Sequence, residues 1–179
     1  MRAATGQVTR LVPGDVVRVL ALVSVVVGTW RSGPVAAALF LLVLGGVMVP
    51  RAIAAPTWLD VTYSSTILFA AWAAQLDWYV AVSWLDVAVH AVATGLVAVL
   101  GVQALHAWGV VGRGGSRTEV ALLVVGLGAV LAVLWELGEW AGNAWFDRRI
   151  QVGYDDTMGD LAAGLAGSVV VTGVVVRRP

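Results

Sequence analysis

Six apolar stretches, each close to the length that crosses a bilayer as a helix, follow one another along this chain with short polar breaks between them. A hydrocarbon core of about 30 Å is spanned by about 20 apolar residues at the helical rise. The stretches cover residues 15–30, 34–49, 58–76, 84–105, 118–140 and 156–176, the second closing at Pro50. The first two are short and compatible with tilted, interfacial or hairpin packing. No long linker, low-complexity tract or evident repeat interrupts the series. The expectation is therefore a single integral membrane domain over residues 1–179, an all-α transmembrane bundle of about six spans.

Composition excludes the main alternative. Hydrophobic residues make up 60% of the chain and charged residues 12%, whereas soluble domains are about one quarter charged. Cysteine is absent, which removes disulfides, thiolate metal sites and cysteine nucleophiles. The formal charge is zero, and no long basic patch exists outside the short loops, so no nucleic-acid partner is expected. The lipid bilayer is the expected partner. The N-terminal apolar run has no convincing small-residue cleavage site after it and reads as a retained span.

Arginine placement orients the bundle. With six spans, Arg2, Arg10, Arg18, Arg51, Arg113, Arg117, Arg177 and Arg178 fall on one side, and Arg31, Arg148 and Arg149 on the other. The positive-inside rule then puts both termini in the cytoplasm. Tryptophans mark the span ends as an interfacial aromatic belt does, with Trp58 and Trp108 inside and Trp30, Trp78, Trp84, Trp140 and Trp145 outside. Glycines 45, 46, 95, 101, 126, 128, 164 and 167 sit within spans, where small residues let helices approach closely.

Charged residues inside a membrane are costly and mark sites. Three patterns carry most of them: Asp86-x-x-x-His90, Trp135-Glu136-x-x-Glu139-Trp140, and Asp155-Asp156-Thr157-x-x-Asp160. Residues three or four apart share a helix face, which pairs Asp86 with His90, Glu136 with Glu139, and Asp156 with Asp160. At the helical rise all three patterns fall within about 10 Å of the outer boundary. Close carboxylates in a low-dielectric site must take up protons or share a cation. Oxygen ligands suit Mg²⁺, Mn²⁺ or Ca²⁺, and His90 admits Zn²⁺ or Fe²⁺. The candidate metal ligands are Asp86, His90, Glu136, Glu139, Asp156 and Asp160.

Plainer roles stand beside these. Asp147, Asp155 and Asp156 read equally as solvated loop acids, and Asp156 or Thr157 as a helix cap. His90 and Asp86 read as a structural hydrogen bond, and Glu136 and Glu139 as partners of Arg148 or Arg149. Arg18 is expected to snorkel to the cytoplasmic interface, Asp60 to face headgroups or cap its helix, and His106 to lie at the interface.

In these three motifs the chain resembles an uncharacterised bacterial inner-membrane family typified by the YjdF membrane protein. The resemblance rests on Asp86, His90 and Gly95; Trp135, Glu136 and Glu139; and Asp156, Thr157, Asp160 and Leu161, and it covers roughly residues 58–170. It implies a multi-pass protein of the bacterial inner membrane and no particular activity.

Three functions compete. The first is an extracytoplasmic-facing cation site, used by a metal-dependent membrane enzyme on a lipid-like substrate. The second is a small cation or proton transporter, which six spans would serve as a homo-oligomer. The third is a non-catalytic scaffold locked by hydrogen-bonded acids. No P-loop, HExxH or serine–histidine–acid pattern supports another chemistry.

Overall fold

The computed structural model describes residues 11–175, and every regular element in that range is helical: α1 (Gly14–Ser32), α2 (Pro34–Ala52), α3 (Thr57–Gln75), the single turn α4 (Trp78–Ala81), α5 (Leu85–Ala107), α6 (Arg117–Trp145) and α7 (Tyr154–Val175). Arg2, Arg10, Arg177 and Arg178, which enter the orientation argument, lie outside the described residues.

Local chemistry sets the breaks. Gly33 takes φ +81°, a conformation that favours glycine, and Pro34 opens α2 with its ring already at helical φ. Helix α6 begins at a capping box: the Ser116 hydroxyl accepts from the Glu119 N–H at 3.2 Å, and the Ser116 N–H donates to the Glu119 carboxylate at 2.5 Å.

Two boundaries differ from expectation. Helix α2 runs through Pro50 to Ala52, because a proline this near the end interrupts only the final turn. Helix α6 reaches Trp145, five residues past the expected end, since Ala141, Gly142, Asn143 and Ala144 contain nothing that stops a helix. Glu136 therefore lies about 13 Å from the end of α6, deeper than the sequence suggests. At the other terminus α7 begins at Tyr154, so Asp156 and Thr157 occupy its first turn instead of capping it.

The long helices form two groups of three. In the first, α1 and α2 run antiparallel, with Gly28 against Phe40, and α3 lies parallel to α1, with the Trp72 Nε1 donating to the Ser24 hydroxyl at 3.0 Å. The Phe40 and Trp72 rings meet in a tilted contact, their centroids 4.9 Å apart, in the core of this group. In the second, α5 and α6 run antiparallel, with Gly101 against Leu127, and α7 lies parallel to α5. Leu59 and Tyr63 of α3 share a core with Leu96, Val99 and Leu100 of α5 and join the groups.

Outward surfaces are apolar. Val16, Val19, Leu20, Val23 and Val26 of α1, Leu41 and Leu42 of α2, Leu122 and Val133 of α6, and Val169 and Val170 of α7 are all exposed. So are Trp30, Trp84, Trp108, Trp140 and Trp145, near helix ends. Such a skin is unfavourable in water and favourable in lipid. Helices α2, α5, α6 and α7 are long and apolar enough to cross a membrane. The other long helices carry more polarity: α1 holds Asp15, Arg18 and Arg31, and α3 is rich in serine, threonine and tyrosine.

Candidate functional site

His90, on the second turn of α5, is the meeting point of three helices. Its Nε2 stands 3.5 Å from Asp86 on the preceding turn and 3.8 Å from Asp160 of α7. Its Nδ1 faces Glu136 of α6 at 4.0 Å. Asp86, His90 and Asp160 each offer a ligand atom within 4.8 Å of one another, a spacing that fits one metal ion. Glu136 and Asp160 are more than nine-tenths buried, with relative exposures of 8% and 4%. Neither carboxylate accepts a hydrogen bond from the described residues; the His90 ring, at 3.8–4.0 Å, is the basic group that each one faces.

Small residues bring these groups together. Gly167 rests against the Ala91 carbonyl, and a methyl at Gly95 would meet the Gly167 carbonyl at 2.9 Å. Thr94 fills the space over Gly164, and Gly128 of α6 receives Ser168 of α7. Close approach of backbones is what small residues permit in lipid, and one turn from Gly164 it sets Asp160 beside His90. Of the eight span glycines, Gly45 and Gly126 face open space and take no part in packing.

The other expected ligands stand around this centre. Glu139 is half-buried one turn along α6, within electrostatic reach of Glu136, Asp160 and Asp86. Asp156 is half-buried one turn before Asp160 and reaches Asp86 and Asp160 in the same way. Asp155 is exposed. The arginines do not serve the glutamates: Arg149 pairs with Asp147 at 2.8 Å, and Arg148 meets the Asn143 side-chain oxygen at 3.5 Å. The Arg149 guanidinium holds the Asp147 carboxyl down at about 2. Asn143 in turn donates to the Ile150 carbonyl at 2.6 Å and shapes the α6–α7 loop. A surface groove of about 350 Å³ runs between that loop, Asn143 and Asp156.

Tyr79, on α4, was not marked by any sequence pattern. Burial, and then the negative charges of Asp86, Glu139 and Asp160, push its phenol up. Its hydroxyl donates to the Ala70 carbonyl at 3.2 Å, which ties α4 back against α3. An aromatic within an interfacial Trp-Tyr pair gave no signal to separate it from the belt.

At the opposite end of the bundle, two readings are corrected. Arg18 does not snorkel: it is buried, donating to Asp60 at 2.7 Å, to Asp15 at 3.0 Å and, through Nε, to the Val47 carbonyl at 2.9 Å. Asp60 is buried with it and also accepts from Ser64 at 3.3 Å. A charge one turn into a helix can reach the interface only where that face meets lipid, and this face of α1 meets α2 and α3. His106, half-buried, has its Nδ1 at 3.1 Å from the Val111 carbonyl.

A family model described as "Predicted membrane protein (DUF2238)" matches residues 15–179. No curated protein and no solved structure matches the chain. The family match agrees with the resemblance drawn from the three acidic motifs and extends it to the first two long helices.

Proposed function

This chain belongs to the DUF2238 family of predicted membrane proteins, and from that premise we propose that its polar centre is a divalent-cation site opening to the extracytoplasmic face. Asp86, His90, Glu136 and Asp160 are the ligands, and Glu139 and Asp156 are the neighbouring acids that tune it. The observation that carries this reading is the convergence on His90 of three carboxylates from three helices, two of them on residues more than nine-tenths buried. Buried carboxylates are stable only when paired, protonated or bound to a metal. One imidazole cannot neutralise three of them. A scaffold held by hydrogen-bonded acids draws no support from such an arrangement.

The bundle carrying this site has six spans with both termini in the cytoplasm, α1 and α3 crossing with the four more apolar helices. The charges of α1 do not oppose this, since Arg18 is neutralised within the protein. The site then lies in the outer leaflet of the bacterial inner membrane. A divalent ion held there would supply Lewis-acid chemistry toward a phosphoryl or acyl oxygen of a lipid-like substrate, and Glu139, one turn away on α6, would be the carboxyl group placed to exchange a proton. The groove lined by Arg148, Arg149 and Asn143 offers an anionic headgroup a place beside Asp156.

The test is binding of Mn²⁺ to detergent-purified protein, followed by electron paramagnetic resonance and by thermal melting. One Mn²⁺ per chain and a melting temperature that falls in chelator are expected. Unchanged melting in chelator, with no bound Mn²⁺, would sink the cation reading. A transporter would instead show cation flux in reconstituted vesicles.

A further inference from the structure

The sequence shows no evident repeat, yet the two three-helix groups place the same polar elements in the same order. In the first group, Asp15 precedes Arg18 by one turn on α1. Arg18 faces an oxygen from the later part of α2, the Val47 carbonyl, and an acid near the start of α3, Asp60. In the second, Asp86 precedes His90 by one turn on α5. His90 faces an oxygen from the later part of α6, the Glu136 carboxylate, and an acid near the start of α7, Asp160. In both groups the first helix is antiparallel to the second and parallel to the third.

The groups point in opposite directions. Helix α3 is antiparallel to α5, since Leu59 and Tyr63 near its start pack with Leu96 and Leu100, while Phe69 lines a groove with Ala88 and Val92. Helix α1, parallel to α3, therefore opposes α5, and the two polar centres lie at opposite ends of the bundle. Three helices followed by three helices of reversed direction is the plan of an inverted-topology repeat.

The centres differ in charge. In the first, the permanently charged Arg18 is hydrogen-bonded at 2.7–3.0 Å to both acids and the carbonyl, and Arg51 adds a second positive charge 4.0 Å from Asp15. Two cations meet two acids. In the second, three acids surround one imidazole at 3.5–4.0 Å, and the two most buried, Glu136 and Asp160, accept no hydrogen bond from the described residues.

We propose that the bundle is an inverted repeat of one polar centre, in which the Arg18 guanidinium supplies from within the chain the cation that the His90 centre takes from solution. The proposal rests on the cation reading above and adds that the two centres are interchangeable in kind. Arginine at position 90 fills its own site, and histidine at position 18 opens one.

The experiment uses the full chain in detergent, with Mn²⁺ as the probe and melting measured with and without chelator. His90→Arg is expected to bind no Mn²⁺, to melt in chelator well above His90→Ala, and to be indifferent to added metal. Arg18→His is expected to raise Mn²⁺ stoichiometry from one to two and to recover stability with Mn²⁺, which Arg18→Ala does not. His90→Arg melting at or below His90→Ala overturns the inference, as does Arg18→His responding to Mn²⁺ no more than Arg18→Ala. A wild-type chain that binds no Mn²⁺, beside a stabilised His90→Arg, removes the solution cation and with it the cation reading, while the matched geometry of the two halves stands.

Discussion

Gly167 of α7 lies directly against the backbone carbonyl of Ala91 on α5, with no room for a methyl group between them. This contact, at the residue that follows His90, fixes the distance between the two helices that carry Asp86, His90 and Asp160. Gly167→Ala must push the backbones apart, and overpacking of this kind costs about 1–3 kcal/mol. Expected are a lower melting temperature and weaker Mn²⁺ binding together. Gly173→Ala, where open space surrounds the new methyl, should change neither. Equal effects of the two substitutions would count against the packing argument.

Among the acids, effect should follow geometry. If the proposed cation site is occupied, Asp160→Ala removes one of its buried oxygen ligands and is expected to weaken Mn²⁺ by about 100-fold, the upper end of the range for groups at a metal site. Glu139→Gln, one turn away, should weaken it by about 10-fold, the lower end of the range for groups that support a ligand. Titration of each variant checks the order, and a larger loss in Glu139→Gln would move that residue into direct coordination.

Breaking a buried ion pair leaves a charge without a partner, at a cost of about 3–5 kcal/mol. Asp60→Ala is therefore expected to destabilise the bundle, since it removes the buried acid that holds the Arg18 guanidinium at 2.7 Å and leaves it only Asp15 at 3.0 Å as a charged partner. Replacing both residues together, as Arg18→Met with Asp60→Leu, should recover much of the loss. Chemical denaturation in detergent would read this, and a double variant as unstable as the sum of the singles would contradict it.

Topology is testable because the native chain has no cysteine. Single cysteines at Gly115, between α5 and α6, and at Gln151, between α6 and α7, should lie on opposite sides of the membrane. In intact cells an impermeant maleimide is expected to label Gln151→Cys and to spare Gly115→Cys until the cells are opened. Labelling of both in intact cells would refute the six-span arrangement.

Much of the site was legible because helical spacing and membrane depth are local properties. Asp86 and His90 share a face in any helix, and Glu136 and Asp160 could be placed near the same end from their distance to the chain reversals. Arg18 was misread for the opposite reason. Its spacing says only that it sits one turn into α1; whether that turn faces lipid or protein depends on α2 and α3, far along the chain. Tyr79 was missed because its position near the acids comes from how α4 folds back, which no spacing encodes.

Hydropathy and periodicity act within one helix, so the amino-acid order alone was enough to show a bundle of long apolar helices and the three short motifs that hold the acids of the candidate site. Which of those acids meet depends on how the helices pack. Glycine contacts between α5, α6 and α7 bring Glu136 and Asp160 to the Asp86–His90 face of α5 and leave Glu139 and Asp156 at the margin. Packing of α1 against α2 and α3 turns Arg18 inward to the Val47 carbonyl and Asp60. Burial, helix direction and close approach arise between segments, so they are fixed only when the helices pack.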